Sequence, residues 1–489
     1  MTYSGVLTVL LLVYLVILTG TGIVVSRLKQ RGSSAGFVTD YFLGGRSLPG
    51  FVLAMTLVAT YTSGSSFLGG PGMAYNQGFG WVLLAMIQLP AMYVALGVLG
   101  KRFNIVGRKI GAVTVVDFLR ERYEGNAFLT ITSAFFIVVF LVAAIAAQFL
   151  GGARIIESLT GLNYVWCLVV FSIVVMVYLV LGGFTAVALN DSINGTLMSI
   201  GTIALLVATL KAGGGIGTIM SNLKSVNPDL LTPYGVKNFI SIPWISSFWV
   251  LVCIGTLGLP QMAVRAMAYK DSKAMHRAIV IGTVVIGLLM LGMHTIGAFA
   301  RAIVPDVKVT DMVIPTLAMK VLHPIGAALV LTAPLAAIIS TVDSQLVYVA
   351  GTIVKDIYLN YMNPNADEKR IEKLSRAMNA AIVLLVLALS IKPPSTIVWI
   401  NLFAFGGLEA AFFWPLLMGL YSKRANAAGM IAAQLSGVAS FIWFTSKLPR
   451  PMGLHPIVPT MVISGVVGLL VSYLTPPPKL ETIKKFWGV

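Results

Sequence analysis

The stretch ATYTSGSS, at residues 59–66, interrupts a segment that is apolar from Val52 onward and becomes apolar again at Phe67. A helix that spans a membrane satisfies its own backbone hydrogen bonds, so nothing requires hydroxyl groups and a glycine in its middle. Irregular backbone at that depth is tolerated only where it is buried in protein or lines a wet cavity. In carriers, helices broken near the bilayer midplane hold the substrate and the coupling ions. We therefore expect residues 59–66 to form part of a binding site.

The composition indicates a membrane protein. Of the 489 residues, 57% are hydrophobic and 10% are charged, and the mean hydropathy is +0.91, whereas soluble domains carry about 25% charged residues. The apolar stretches run over about 20 residues without alternation, which favours helices over a transmembrane β-barrel. The net charge of +17 comes from basic residues in the loops, where they set topology. We expect an all-α polytopic membrane protein whose partner is the lipid bilayer and not nucleic acid.

Hydropathy predicts about 13 membrane spans of about 20 residues each. They lie near residues 6–26, 48–71, 80–100, 127–151, 163–182, 190–211, 244–266, 277–300, 323–354, 376–391, 395–420, 427–446 and 455–474. The two long loops, 212–243 and 301–322, contain proline and glycine, and we expect short surface helices in them. No loop is long enough to fold as a soluble domain of its own.

The distribution of basic residues predicts the orientation. Of the 34 Lys and Arg, 24 fall in the loops that an outside N-terminus would place in the cytoplasm, and 10 fall elsewhere. Because basic residues favour the cytoplasmic side, we expect the N-terminus outside and the C-terminus inside. Arg27, Lys29 and Arg31 follow the first apolar run and no basic residue precedes it, which indicates an uncleaved first span and not a signal peptide.

A second interrupted span lies five spans after the first. The sequence GTLGLP, at residues 255–260, places two glycines and a proline inside the span 244–266. Broken spans at corresponding positions of two halves are typical of an inverted repeat. The alternative is that both are ordinary glycine and proline kinks, which are common in membrane helices. The repeat predicts a single transporter domain with core repeats at 48–211 and 244–420 and peripheral helices at 6–26, 427–446 and 455–474.

Three residues of the ninth span, Ala337, Ser340 and Thr341, follow the i, i+3, i+4 spacing that places side chains on one face of a helix. Two hydroxyl oxygens and a nearby carbonyl oxygen suit a hard, weakly bound cation such as Na⁺. The carbonyl groups of Ala59 and Thr62, freed where the second span breaks, are candidates for the remaining ligands. The alternative is that the hydroxyl groups bond back to the preceding turn or hold two helices together.

Three acidic residues fall within or at the start of predicted spans, where ionisable groups are costly and indicate function. Asp191 is placed at the start of the sixth span, which favours a helix N-cap. Asp343 points away from Thr341 and indicates a gate or an ion exit path. Glu409, in the eleventh span, has three alternatives: it is protonated, it pairs with a basic residue, or it bonds to a substrate hydroxyl or amide group.

The sequence disfavours an enzyme. It has four histidines without the spacing of metal ligands and no nucleophile motif near a base. Cys167 and Cys253 lie in apolar runs and indicate packing rather than a disulfide framework. Gln88, in the third span, and Gln261, after the second break, are further polar groups within predicted spans.

Three motifs carry a family resemblance. The strings AAIIST at 336–341, GGFTA at 182–186 and GLYSKR at 419–424 followed by Gly429 resemble the sodium-site helix and the two signatures of the sodium/solute symporter family, with Met430 in place of the usual alanine. The resemblance covers roughly residues 5–475. It implies a LeuT-type fold with a five-plus-five inverted-repeat core and broken second and seventh helices.

Longer strings narrow the expected cargo. DYFLG at 40–44, WVLLAMIQLP at 81–90, YKDSKA at 269–274 and FGGLEA at 405–410 resemble family members that take up pantothenate, although Gln261 stands where a histidine is expected. The resemblance implies sodium-coupled symport of pantothenate by alternating access, with another small carboxylate or an amino acid such as proline as the alternative. A channel or a sensor built from the same helices is the alternative of another class.

The resemblance also implies the site residues. The sodium site would comprise backbone oxygens of Ala59, Thr62 and Ala337 with the hydroxyl groups of Ser340 and Thr341. Where relatives that carry proline have an aspartate, this chain has Tyr61. The substrate candidates are Tyr61, Ser65, Ser66, Gln88, Gln261 and Glu409. We expect a monomer in the inner membrane of a bacterium, with Na⁺ as the coupling ion and no other cofactor.

Overall fold

The computed structural model describes Gly20 and residues 46–181 and 184–488, and the side chains of residues 178–189 are outside this description. The main helices are α1 (Gly50–Tyr61), α2 (Ser65–Gln77), α3 (Phe79–Ile110), α4 (Ala127–Thr160), α5 (Tyr164–Leu181), α6 (Phe184–Ala212), α7 (Ile242–Gly258), α8 (Pro260–Arg265), α9 (Ser272–Ile303), α10 (Pro324–Met362), α11 (Glu368–Ser390), α12 (Ile397–Tyr421), α13 (Ala427–Lys447) and α14 (Ile457–Leu474). Within the described residues, β-structure is limited to one isolated bridge between Leu48 and Tyr269.

The helices follow the order that hydropathy predicts. Among the described residues, nine helices are long and apolar enough to cross a membrane, and the bent pair α1 and α2 forms a tenth span. The helices α5 and α7 are apolar in the same way over shorter lengths. The first predicted span, 6–26, lies outside the described residues, as do the string at 40–44 and the glycine pair at 182–183. The prediction of an all-α polytopic protein is confirmed.

The two predicted breaks are both present. The axes of α1 and α2 differ by 67°, and Thr62 between them is extended, with φ −80° and ψ 140°. The helix α7, which is the first half of the seventh span, ends in a 3₁₀ turn at Ile254–Gly258. Leu259 after it is extended, with φ −89° and ψ 109°. Pro260 then begins α8, where its missing N–H costs no helical hydrogen bond.

The broken helices lie at the centre of the bundle. The helix α1 packs between α6 and α9, α6 packs along α10, and the end of α7 packs against α12. Gly297 of α9 lets α2 approach closely, because a Cβ atom there would lie 2.2 Å from the carbonyl oxygen of Pro71. The hairpin of α13 and α14 packs against α12 from outside the core.

Loop contacts show which helix ends lie together. At one end, the carboxylate of Asp311 accepts a hydrogen bond from the N–H of Ile397, so the loop before α10 meets the start of α12. At the other end, the guanidinium of Arg122 donates to the carbonyl of Ser422, so the loop before α4 meets the end of α12. The first of these ends carries the loops that the basic residues predict to be outside.

The long loops contain the short helices that the sequence predicts. Ile216–Val226 lies in the loop 212–243, and Val313–Val321 lies in the loop 301–322. A last short helix, Leu480–Trp487, follows α14. The prediction that Asp191 caps a helix is wrong, because α6 begins at Phe184 and Asp191 therefore lies within it.

Candidate ion and substrate site

Five oxygen atoms converge where α1 ends against α10. The Thr341 hydroxyl lies 2.9 Å from the carbonyl oxygen of Thr62, 2.8 Å from that of Ala337 and 3.4 Å from that of Ala59. The Ser340 hydroxyl lies 3.3 Å from the Ala59 oxygen and 3.1 Å from the Ala337 oxygen. All five residues are fully buried. The structure thus brings together every residue that the sequence proposes for the sodium site.

The break between α1 and α2 makes these carbonyl groups available. In a continuous helix the N–H of residue 66 would bond to the oxygen of Thr62, but Ser66 donates to Ser63 instead. The N–H of Gly64 donates to the side chain of Gln148 on α4, at 2.8 Å, and the N–H of Ser65 donates to the Ser63 hydroxyl. Side chains thus replace the helical partners and leave the Thr62 carbonyl aimed at α10.

The spacing of the five oxygens can be compared with that of the ligands around a cation of the size of Na⁺. A hard cation that takes oxygen ligands at about 2.4 Å places neighbouring ligands about 3.4 Å apart at right angles. The two contacts to the Ala59 oxygen, at 3.3 and 3.4 Å, match that value, whereas the other three, at 2.8 to 3.1 Å, are hydrogen-bond distances that would have to lengthen around a bound ion. Hydroxyl and carbonyl oxygens without a carboxylate also match the ligand set expected for a weakly bound monovalent ion.

A cavity lies beside this oxygen cluster, between the two broken helices, α3, α9 and α12. Its polar walls come from Tyr61, Ser63, Ser65, Ser66, Gln88, Thr256, His294, Asn401 and Glu409. The space inside it is small, about 50 Å³, so its polar groups line a narrow cavity.

Five of the six predicted substrate residues line the cavity, and Gln261 does not. Gln261 lies on α8 beyond the second break, and neither polar atom of its side chain has a hydrogen-bond partner among the described residues. The sequence analysis missed His294 and Asn401. His294 is an ionisable residue inside a predicted span, which indicates function, but neither residue lies in a sequence motif.

His294 presents an acceptor to the cavity. Its Nδ1 lies 2.8 Å from the carbonyl oxygen of Met290, and a carbonyl can only accept, so this nitrogen carries the proton. In a neutral imidazole the Nε2 atom then has a free lone pair. It lies beside Gly70, where a Cβ atom would be 2.3 Å away, so the glycine leaves the space that the imidazole occupies.

Tyr61 joins the two broken helices. Its hydroxyl donates to the carbonyl of Val252 in α7 at 2.6 Å, and its side chain is 6% exposed. The side chain of Tyr61, which adjoins Thr62 of the oxygen cluster, therefore connects α1 with α7.

Aromatic rings close the cavity toward the end that carries the loops 212–243 and 301–322. Trp81 and Phe248 line the cavity, and their ring centroids lie 6.3 Å apart. Trp399 lies edge-on to Trp81 at 6.0 Å. These three rings separate the polar groups from that end of the bundle.

Beyond these rings, Asp311 holds a loop onto the start of α12. Burial raises the pKa of Asp311 to about 6, against a smaller opposing effect of the Ile397 N–H. The carboxylate is therefore mostly ionised at neutral pH and accepts the hydrogen bond from Ile397 at 3.4 Å. An anion at a helix N-terminus is stabilised by the exposed N–H groups there.

On the opposite side of the cavity lies a buried charged cluster. Arg265 of α8 donates to the hydroxyl of Thr56 at 3.2 Å and to the hydroxyl of Ser344 at 2.8 Å. Asp191 of α6 accepts from Thr56 at 2.6 Å and lies 3.9 Å from the Arg265 guanidinium. Asp343, next to Ser344, is also buried. The cluster ties α1, α6, α8 and α10 together one turn away from the oxygen cluster.

Comparison with known proteins gives the family. The model of the sodium:solute symporter family matches residues 41–437. The chain is 44% identical to the sodium/pantothenate symporter of Haemophilus influenzae, over 94% of this chain and 95% of the relative. It is 46% identical to the sodium/pantothenate symporter of Escherichia coli, over 93% of each. The osmoregulated proline transporter OpuE of Bacillus subtilis is 30% identical over 92% of each chain.

Solved structures show the same fold. A Na⁺-coupled sialic acid symporter, described as a substrate-bound outward-open state, superposes with a TM-score of 0.80 at 17% identity, over 97% of this chain and 98% of the other. The nucleobase-cation symporter Mhp1 in a closed conformation gives a TM-score of 0.56 over 91% of this chain and 97% of the other. The predicted LeuT-type fold is thereby confirmed.

Proposed function

The chain belongs to the sodium:solute symporter family, and we propose that it takes up pantothenate together with Na⁺ by alternating access. The observation that carries the proposal is 44–46% identity, over more than nine tenths of the chain, to relatives named sodium/pantothenate symporters. The oxygen cluster and the adjoining polar cavity supply matching places for an ion and a small polar solute. The chain is a carrier and not an enzyme.

The proposed unit of movement is the pair of repeats, 48–211 and 244–420. In this arrangement α1 and α2 of the first repeat correspond to α7 and α8 of the second. The hairpin of α13 and α14 is peripheral to the repeats. The basic residues favour an N-terminus outside and a C-terminus inside the bacterial inner membrane, and one chain suffices for the site.

Na⁺ would couple to the substrate by joining α1 to α10. An ion bound by Ala59, Thr62, Ala337, Ser340 and Thr341 stabilises the arrangement in which the end of α1 lies against α10. Tyr61 then fixes α7 relative to α1 and shapes the cavity. Coupling follows because each ligand binds this arrangement more tightly than the alternative one.

The cavity suits the chemistry of pantothenate, which has two hydroxyl groups, an amide and a carboxylate. The hydroxyl groups of Ser65, Ser66 and Thr256 and the amides of Gln88 and Asn401 can bond to such groups. In the described part of the chain, no lysine or arginine lines the cavity. The Na⁺ ion would therefore be the main positive charge near the substrate carboxylate.

This charge pairing limits the driving force. One Na⁺ and one carboxylate together move no net charge, so the membrane potential, worth about 2.3 kcal/mol per charge at 100 mV, would not contribute. Each tenfold Na⁺ gradient would then supply about 1.4 kcal/mol. A second Na⁺ would be needed for the potential to drive uptake.

The alternative cargo is proline, which more distant relatives carry at 28–30% identity. Uptake of labelled pantothenate by cells that lack their own carrier, with an excess of unlabelled competitor, separates the two. We expect unlabelled pantothenate to abolish the label and proline to leave it unchanged. Competition by proline, or labelled proline uptake without pantothenate uptake, would contradict the proposal.

A further inference from the structure

Glu409 is the acidic residue of the cavity, and its carboxyl group is unusually isolated. The side chain is 1% exposed on α12 and faces the cavity. Among the described residues, neither of its oxygens has a hydrogen-bond partner. Removing one partner from a buried ion pair is strongly destabilising, and membrane interiors make unpaired charges costly in the same way. A lone carboxylate at this position would therefore carry a large desolvation cost.

Among the described residues that line the cavity with Glu409, none is a lysine or an arginine. The titratable groups around Glu409 are Tyr61 from α1, which interacts with the carboxyl group, and, across the cavity, His294 from α9. With its Nδ1 donating to Met290, a neutral imidazole of His294 presents the Nε2 lone pair to the cavity. On the other faces of α12, Gly407 packs against Phe140 of α4 and Gly406 packs against Phe441 of α13.

The backbone of α7 also lies against the carboxyl group. A Cβ atom at Gly255 would be 2.4 Å from Oε2 of Glu409, so the glycine leaves the space that the carboxyl occupies. The carboxyl is held between the second break and the cavity rather than turned toward solvent. Its position is built by the fold and does not depend on a flexible surface rotamer.

The substrate adds a further constraint. With Na⁺ beside a carboxylate substrate the cavity is neutral, and an ionised Glu409 would bring a second negative charge into the same enclosed space. Like charges at such distances repel strongly where water is excluded. A protonated carboxyl adds no charge and has one O–H donor, which can bond to a hydroxyl, amide or carboxylate oxygen of the substrate.

We propose that Glu409 holds a proton while the cavity accepts the substrate and that its neutral carboxyl group donates a hydrogen bond to the substrate. This inference rests on the proposed function and adds a proton-binding residue to the same site. In this role the neutral carboxyl group of Glu409 donates a hydrogen bond to the substrate as the amide group of a glutamine would. The proton is bound by Oε1 or Oε2 and no other bond forms or breaks.

Infrared spectroscopy of the purified protein tests the proton directly. We expect wild type at neutral pH to show the C=O stretching band of a protonated carboxylic acid that is lost in Glu409→Gln. The matched control is Glu372→Gln, which removes an exposed carboxylate paired with Arg376 and should remove no such band. An unchanged acid band in Glu409→Gln would overturn the inference, whether or not the protein transports pantothenate.

Uptake kinetics test the donor role. We expect Glu409→Ala to raise KM roughly tenfold, because it loses one hydrogen bond to the substrate. Glu409→Gln should recover most of that loss, because its amide is neutral and also donates. If KM rises as much in Glu409→Gln as in Glu409→Ala, with both proteins present in the membrane, the donor role is overturned.

A third measurement uses wild type alone and does not depend on how the variants fold. Adding pantothenate in Na⁺ buffer should shift the acid C=O band, because the O–H gains a partner. An unshifted band in protein that transports pantothenate would overturn the inference. Absence of pantothenate uptake by wild type would instead overturn the proposed function. The comparison of the acid band in wild type and Glu409→Gln would still show whether Glu409 holds a proton.

Discussion

Ser340 and Thr341 each carry one hydroxyl proton, yet together they face the three carbonyl groups of Ala59, Thr62 and Ala337. Two protons cannot satisfy every lone pair of three carbonyl oxygens. The excess of acceptors in a fully buried place makes the cluster attractive to a cation. Binding of Na⁺ by these five residues stays a prediction, although the structure brings all of them together.

Replacing either hydroxyl tests the cluster. We expect Ser340→Ala and Thr341→Ala each to raise the Na⁺ concentration for half-maximal uptake roughly tenfold, since about 1.4 kcal/mol of ion binding is lost. The measurement is initial uptake rate against Na⁺ concentration in cells with equal amounts of carrier in the membrane. Thr332→Ala is the control, because the Thr332 hydroxyl bonds to Leu329 of its own helix. Normal Na⁺ dependence in both site variants would remove the assigned site.

The sequence predicted the oxygen cluster better than the cavity. Spacing on one helix places Ser340 and Thr341, and the polar run before Phe67 marks the break, so both were visible locally. Gln261 was misplaced because the extended residue Leu259 resets the direction of α8, and helical periodicity cannot be carried across it. His294 and Asn401 were missed because a single polar residue in a long apolar helix has no partner in the sequence.

At the scale of the helix, α8 carries one charge that α6 neutralises. Arg265 and Asp191 are both buried, and Thr56 of α1 and Ser344 of α10 complete their hydrogen bonds. The sequence predicted that Asp191 caps a helix because hydropathy begins the span near residue 190. The structure begins α6 earlier, at Phe184, since helical backbone extends beyond the most apolar window.

Breaking this pair should destabilise the bundle. We expect Arg265→Ala to lower the free energy of unfolding by about 3–5 kcal/mol, because it leaves the Asp191 carboxylate buried without its cation. Thermal unfolding in detergent, followed by loss of the monodisperse peak, measures the effect. The double variant Arg265→Ala with Asp191→Asn should recover part of the loss, because the uncompensated charge is gone.

The control for that experiment is an exposed ion pair whose charged atoms lie closer together than those of Arg265 and Asp191. Arg376 and Glu372 lie 2.6 Å apart on α11 and are largely exposed, so Arg376→Ala should change stability by about 0.5 kcal/mol or less. Equal effects of Arg265→Ala and Arg376→Ala would show that the buried cluster is not held together by charge.

At the scale of the whole molecule, the order of the described spans was predictable because a bilayer requires continuous apolar helices. The two breaks were predictable because polar or glycine-rich runs weaken a helix inside a membrane, although such residues also occur in ordinary kinks. The helix ends were not predictable. The helix α10 continues to Met362, eight residues beyond the predicted limit, because the hydropathy of the sequence falls before the helix ends. The narrowness of the cavity depends on packing among distant segments and leaves no local signal.

The most direct test of this account is uptake of labelled pantothenate by vesicles reconstituted with the purified carrier. An inward Na⁺ gradient should drive accumulation above equilibrium, and replacing Na⁺ by K⁺ on both sides should reduce uptake to the level of vesicles without protein. Equal filling with pantothenate in K⁺ buffer alone would contradict the claim that ion binding between α1 and α10 drives the substrate inward.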